Sequence, residues 1–237
     1  MSSTKTILLE SSSSPMKSEV REVKIRSYQN RDFESCREIF TQGMEQLVGR
    51  ATRVVLPKYC GVLVALSVLV ILAAVKWTSW MLAYYVFFCV VLLALLYIYI
   101  YIECWRFIKE CLATDLYNIE KTYMSGDGSH MWVAEFDGKV VGMVGLVVYN
   151  HKPGVAELQR MSVSPVCRRM GIAKKLLDEL LQHAKEQRFD KLVLTTTSAQ
   201  IPAIRLYKKW GFRLIHVFPY PQKILADLQY LCFGLEL

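Results

Sequence analysis

Residues 161–173 read MSVSPVCRRMGIA, from Met161 to Ala173. The residues leading in, Glu157 to Val163, are apolar and branched enough for a strand, and Pro165 stops it. From Ile172 onward Ala173, Leu176, Leu177, Leu180 and Ala184 recur at helical spacing. Between strand and helix lies a basic turn with one glycine, Gly171, at the helix start. The first amides of a helix have no internal partner, and the macrodipole adds partial positive charge there. Such a turn is an anion site. Gly171 lets a phosphate approach the backbone, while Arg168 and Arg169 add full charges.

The spacing is narrower than a generic phosphate turn. Arg168, Gly171 and Ala173 fit Q/R-x-x-G-x-G/A, which resembles the pyrophosphate loop of the GCN5-related N-acetyltransferases. Met161 to Pro165 resembles the fourth strand of that superfamily. Further on, Ala203, Leu206, Tyr207, Gly211 and Phe212 match its A-x-x-L-Y-x-x-x-G-F signature. The two signatures occur in the family's order and at its usual distance.

Composition adds a second theme. The chain of 237 residues has room for one ordinary domain and an appendage. A net charge of +8 suits an anionic ligand or membrane surface. The basic residues are scattered and no nucleic-acid motif accompanies them, so no nucleic-acid partner is expected. Seven cysteines without a C-x-x-C pair read as free thiols in reducing surroundings. The mean hydropathy of +0.25 is high for a soluble enzyme. Its excess is concentrated in one place.

Tyr59 to Val75 and Trp80 to Ile102 are two uncharged runs long enough to cross or deeply enter a bilayer. Only Lys76, Trp77, Thr78 and Ser79 separate them, which reads as a tight helical hairpin. Full crossing and a re-entrant bend both stay open for the first run. Arg50, Arg53 and Lys58 precede the pair, and Arg106 and Lys109 follow it. The positive-inside rule therefore places both flanks in the cytosol. Trp77, Trp80, Tyr97, Tyr99 and Tyr101 read as interfacial belt residues.

The remaining chain falls into order around these features. Residues 1–19 are serine-rich and read as a disordered tail, with no secretory pattern. Val23 to Arg26 alternates as a strand. Asn30 is the expected cap of the next helix, whose face carries Phe33, Cys36, Phe40, Met44 and Leu47. Glu103 to Met124 reads as one amphipathic helix, and Ser125 to Gly128 as a turn. Trp132 to Phe136 and Lys139 to Tyr149 form a hairpin turned at Asp137-Gly138. Lys191 to Thr196, Phe212 to Val217 and Leu228 to Leu237 are further strands, and Gln200 to Trp210 is a short helix. The domains expected are 1–19 (tail), 20–56 (first strand and helix), 57–102 (membrane hairpin) and 103–237 (the rest of the catalytic domain).

An acetyltransferase domain interrupted by such a hairpin is similar to the camello family, which includes the cysteine S-conjugate N-acetyltransferases and, more distantly, the aspartate N-acetyltransferase. The resemblance covers nearly everything after the tail. It implies an α/β fold with a mixed, mainly antiparallel central sheet flanked by helices and an inserted membrane hairpin. It further implies acetyl-CoA as co-substrate, an endoplasmic reticulum membrane, and acceptors that are small amino-acid derivatives or protein lysines. No metal is implied.

On the family's pattern the acetyl-CoA contacts fall to Met161, Val163, Arg168, Arg169, Met170, Gly171, Ile172 and Ala173. Tyr207 lies where members often keep the acid that protonates the leaving thiolate. Glu157 resembles the register of the catalytic glutamate, although an ion pair with Arg160 is an equal reading. His216 is the next candidate base, and a water chain would replace either. His130, His151 and His183 read as solvated. Arg169 departs from the family's glycine and Gln200 from its asparagine. Arg160 and Arg26 are candidates to receive an acceptor carboxylate. A non-catalytic protein that kept the fold is the alternative of another class.

Overall fold

A computed structural model describes residues 22–73, 79–126, 128–149, 152–222, 225 and 227–237. The serine-rich tail, residues 76–78 of the interhelical connection, Asp127 and His151 lie outside them. Seven strands form one sheet in the order β1-β2-β3-β4-β5-β7-β6. They are β1 (Lys24–Ser27), β2 (His130–Phe136), β3 (Lys139–Val148), β4 (Val155–Val163), β5 (Lys191–Thr197), β6 (Arg213–Pro219) and β7 (Gln229–Glu236). Every pairing is antiparallel except β4 with β5. This is the mixed, mainly antiparallel sheet expected.

Alternation along the strands supplies two core faces. Trp132, Ala134, Val144, Ala156 and Leu158 meet α3 (Ile172–Glu186) and α4 (Ile201–Lys209) on one side. The α3 stripe expected from the sequence is the buried one: Ile172, Leu176, Leu177, Leu180 and Ala184. On the other side Met131, Val133 and Met143 meet α1 (Phe33–Ala73) and α2 (Ser79–Ala113).

Both long helices serve two solvents. Near the sheet, Cys36 and Phe40 of α1 and Ile108 and Cys111 of α2 are buried. Farther out, Val62, Leu66 and Leu69 of α1 and Trp80, Phe87 and Phe88 of α2 are exposed, an arrangement that water does not favour. Each helix is long and apolar enough to cross a membrane. The Ser67 and Tyr85 hydroxyls meet at 2.8 Å between them. Both helices run unbroken past residues 57 and 102, with Pro57 inside α1.

Two local expectations are corrected. Asn30 is not the cap. The Gln29 amide donates to Asp32 Oδ2 at 2.9 Å, and the Asn30 side chain instead donates to Glu120 Oε2 at 2.7 Å. Nor does one helix run from Glu103 to Met124. It ends at Ala113, and a separate π-helical turn covers Glu120–Met124. The break matters, because it turns Asp115 and Tyr123 toward the sheet.

Candidate active site

Strands β4 and β5 pair only where Val155, Ala156 and Glu157 face Lys191, Leu192 and Val193. Beyond that point β4 stays with β3 and β5 stays with β7, so a wedge opens between them. The edge of β4 from Leu158 to Val163 is left without a strand partner on the β5 side. Extended chain laid there can pair with it, as an added strand would. The register between β3 and β4 also slips by one residue between Met143 and Gly145. Arg160, with φ 54°, is the bulged residue. The slip sends Leu158 and Met161 to the α3 side, and Arg160 to the α1 side over the Phe40 ring at 5.3 Å.

The turn after β4 has the geometry expected of an anion site. Pro165–Cys167 make a single 3-10 turn, and Arg168 to Met170 are exposed. Gly171 caps α3 with φ 77°, and a Cβ built there would meet nothing within 4 Å. The space over its backbone is open. Lys175 is the first amide to turn inward, donating to Gly171 O at 3.1 Å. The preceding amides are therefore the helix's unsatisfied donors. Arg168 donates to Gln46 Oε1 on α1 and to Val163 O. Burial, with Arg50 nearby, lowers its pKa below the usual arginine value. Arg169 has φ 67°, the left-handed region where glycine is most at ease.

The wedge holds a cavity of about 300 Å³. Glu157, Gln159, Arg160, Ser162 and Tyr207 line it together with Thr195 to Thr197. The two candidate catalytic residues thus share one chamber. Tyr207 is only 5% exposed, and burial raises its pKa. Its ring meets Phe212 at 5.7 Å, and its hydroxyl makes no hydrogen bond among the described residues. The phenol is held neutral with its proton uncommitted.

Glu157 does not pair with Arg160. It accepts from Gln159 Nε2 at 2.8 Å. Arg160 instead clasps Asp115, Nε to Oδ2 at 2.7 Å and Nη2 to Oδ1 at 2.6 Å. The Tyr123 hydroxyl lies 2.7 Å from Asp115 Oδ2 and 3.0 Å from Gln159 Oε1. A polar chain therefore runs Glu157–Gln159–Tyr123–Asp115–Arg160. Burial pushes the Asp115 carboxyl up, but the Arg160 bonds outweigh it and hold it below the usual value. Gly145 makes room for Tyr123, since a Cβ there would lie 2.6 Å from the ring. Asp115, Tyr123 and Gln159 were not singled out from the sequence. No motif marks them, and Asp115 falls inside what reads as continuous helix.

Other candidates separate from this site. Arg26 is engaged by Asp32 and Glu135 and lines a separate polar pocket outside the cavity. His216 stacks on Phe218 along exposed β6. His130 and His183 are not simply solvated. Their rings lie 5.3 Å apart beside Trp132, with His130 Nε2 2.9 Å from Ser27 Oγ.

The comparisons agree with this construction. Residues 97–212 match the model of the acetyltransferase (GNAT) family. N-acetyltransferase 8 of Rattus norvegicus is 35% identical over 195 residues, covering 80% of this chain and 85% of its own. N-acetyltransferase family 8 member 2 of the same species is 37% identical over 193 residues, covering 80% and 83%. An acetyltransferase of the GNAT family from Staphylococcus aureus Mu50 shares the fold with a TM-score of 0.56 at 19% identity, over 91% of this chain and 99% of that one. With the splayed β4–β5 wedge, the open glycine turn and the apolar helix pair all on one chain, the protein belongs to the camello, or N-acetyltransferase 8, family of GCN5-related acetyltransferases, as a membrane-bound, acetyl-CoA-dependent N-acetyltransferase.

Proposed function

We propose that this enzyme acetylates the α-amine of a cysteine S-conjugate or related amino-acid derivative, from the cytosolic face of the endoplasmic reticulum membrane. The acetyl-CoA diphosphate would rest on Arg168, Arg169, Met170, Gly171, Ile172 and Ala173. Its pantetheine arm would pair with the free edge of β4 at Met161 and Val163. The chemistry needs a held donor, a deprotonated amine, a stabilised oxyanion and a protonated leaving thiolate. Glu157 takes the proton of the incoming ammonium, directly or through water. The amine nitrogen then attacks the thioester carbon, the carbon–sulfur bond breaks as Tyr207 gives its proton to the thiolate, and the second nitrogen proton, carried by water, restores the phenol. The products are the N-acetyl amide and CoA thiol.

The observation that carries this reading is the shared cavity, whose lining holds both a carboxylate with one neutral partner and an unbonded, neutral phenol. For the acceptor carboxylate, Arg160 is the remaining candidate. Asp115 uses its Nε and Nη2, which leaves the Nη1 hydrogens for a ligand. A protein lysine is the second reading. It is favoured by a second acid on the cavity wall, Glu103 of α2, which holds Arg106 in the structure.

Steady-state kinetics with acetyl-CoA and a panel of cysteine S-conjugates, aspartate and lysine peptides tests the choice. The expected order places the S-conjugates first. Turnover of lysine peptides alone would move the assignment to the second reading. For orientation, the basic flanks at Arg50, Arg53, Lys58, Arg106 and Lys109 support the cytosolic placement. Tags at Met1 and Leu237 should then be cleaved by protease added to sealed microsomes. Protection of both until detergent is added would place the catalytic domain in the lumen.

A further inference from the structure

The polar chain beside the cavity is short of a proton. Glu157 and Gln159 stand two residues apart on one face of β4, and Gln159 Nε2 donates to Glu157 Oε2 at 2.8 Å. That orientation turns Gln159 Oε1 to the Tyr123 hydroxyl, 3.0 Å away. The same hydroxyl lies 2.7 Å from Asp115 Oδ2. A phenol has one proton to donate, and here two acceptors wait for it. The Asp115 contact is shorter and charge-assisted, so it is the stronger. Gln159 Oε1 is then left against the phenol oxygen with no proton between them. Among the described residues no other donor meets it.

The surroundings hold this conflict in place. Tyr123 is fully buried with its ring over Gly145, so its hydroxyl rotates only about its own C–O bond. Against burial, two bonds from Arg160 hold the Asp115 carboxyl below its usual value, so it stays an acceptor. Gln159 is the movable member. An amide has nearly the same shape either way round, with donor and acceptor exchanged. Turned over, its NH2 satisfies the Tyr123 oxygen and its carbonyl faces Glu157. That last contact forms only when Glu157 carries a proton to give. The chain is one proton short while Glu157 is ionised, and complete once Glu157 is protonated.

We propose that Gln159 and Tyr123 are positioning residues that couple Glu157 to Asp115, the Gln159 amide turning over when Glu157 takes the acceptor's proton. Before the step the NH2 faces the Glu157 carboxylate. The ammonium N–H bond breaks, its proton forms an O–H bond on Glu157, and that hydroxyl turns to Gln159 Oε1. The Gln159 NH2 then donates to the Tyr123 oxygen, while the Tyr123 proton stays with Asp115. No covalent bond changes in Gln159, Tyr123 or Asp115. When Glu157 returns its proton to water, the amide turns back. This inference rests on Glu157 being the base and adds the device that receives its change of state.

Other groups near Glu157 must be told apart from it. Arg160, Glu103 and Cys104 of α2, Tyr207, Tyr220 and Tyr230 share its cavity wall. Cys232 of β7 and Lys191 of β5 lie on the same sheet face, and Lys191 is held by Glu236. Burial raises the Tyr207, Tyr220 and Tyr230 phenols and the Cys232 thiol above their ordinary values, so none of them produces an acidic limb. Glu157→Gln decides between the two acids.

The test is the pH profile of kcat for the full-length protein in lipid nanodiscs, with acetyl-CoA and the best acceptor of the panel above saturating. The acidic limb of kcat reports the base in the loaded enzyme. Tyr123→Phe takes away what the turned amide would bond, so the limb should move to lower pH by about 0.5–1 unit, with a lower plateau. Gln159→Leu takes the donor from the carboxylate and should move the limb the other way by a similar amount. Tyr123→Phe added to Gln159→Leu should shift it no further. If Tyr123→Phe shows no CoA-induced rise in Tm, Asp115→Asn serves, because it frees the hydroxyl proton for Gln159 and should also move the limb to lower pH. That shift should shrink when Gln159→Leu is added. An equal shift in both backgrounds would be charge alone and would overturn the coupling. A limb that both single variants leave in place, or move in one direction, would overturn it too and leave Glu157 as the base. If Glu157→Gln keeps the parent's turnover and limb, Glu157 is not the base, and that reading falls together with this inference.

Discussion

The turn after β4 and the cavity beside it share a strand and are built in opposite ways. The turn is exposed and works with backbone: open space over Gly171, helix amides without partners, and arginines reaching from the rim. The cavity is recessed in the wedge and works with side chains drawn from β4, β5, β7, α1, α2, α4 and the β6–β7 loop. A backbone site needs few residue types but strict dihedral angles. A side-chain site needs many residues, and each leans on a neighbour. Donor binding should therefore fail at a few points, and catalysis at many.

The largest effect is expected where the backbone site has no slack. Gly171→Val places a branched side chain in the open space and asks a β-branched residue to hold φ 77°. CoA binding, measured by calorimetry, should be abolished. Affinity equal to the parent's would mean that the phosphates do not rest on this turn, and the comparison would lose its first half.

In the cavity, Tyr207→Phe keeps the ring against Phe212 and deletes the proton donor. Turnover should fall by roughly 10²–10⁴, with CoA affinity and Tm little changed. Burial raises the phenol's pKa above its ordinary value of 10.0. Any alkaline fall in kcat below pH 10 must therefore come from another group. If Tyr207→Phe folds and turns over at the parent rate, the acid role is lost. A variant that unfolds would show that the ring is structural.

How far each half could be read in the sequence follows from the same contrast. The turn occupies consecutive positions, so Arg168, Gly171 and Ala173 declare it by spacing alone, and the hairpin declares itself by seventeen and twenty-three uncharged residues. Tyr207 and Glu157 could be named because each falls at a position that the family's pattern marks. Asp115 could not. Its meaning depends on the helix stopping at Ala113, on the bulge at Arg160, and on a ring seated over Gly145. Those are long-range facts, set by packing between segments distant in the chain. Asn30 was misread for a related reason. The bond from the Gln29 amide to Asp32 puts the cap one residue earlier, and Glu120, from a distant turn, takes the Asn30 side chain.

The Asp115–Arg160 pair gives the next test of this dependence. Asp115→Ala leaves the Arg160 charge enclosed without its partner, at a cost of about 3–5 kcal/mol. The midpoint of urea unfolding should drop accordingly, and activity should fall with it as the chain through Tyr123 and Gln159 loosens. The pair also sets an acid limit. Arg160 holds the Asp115 carboxyl below its ordinary value of 3.8, so its contribution is complete above that pH. It is lost as pH falls through the folded-state value. An Asp115→Asn variant should lack this component of acid sensitivity. Unchanged stability in the alanine variant would show that Arg160 finds another partner.

The smallest effect belongs to Arg169, and it sharpens the comparison most. Its left-handed backbone angle costs a non-glycine residue roughly 1 kcal/mol, and glycine would relieve that while giving the unfolded chain more freedom. The two terms oppose, so Arg169→Gly should leave Tm within a few degrees of the parent or slightly higher. The guanidinium is exposed, so it does not crowd the turn and can act only through charge. CoA affinity should weaken modestly at low salt, and the difference should shrink as salt screens it. Arg168→Ala, which also loses the bond to Gln46 on α1, should weaken binding more, by about 1–3 kcal/mol, and in high salt as well. Calorimetric titrations at two ionic strengths separate the two arginines. If Arg169→Gly binds CoA more tightly at both, the arginine obstructs the turn, and the backbone rather than its rim of charge carries the donor site.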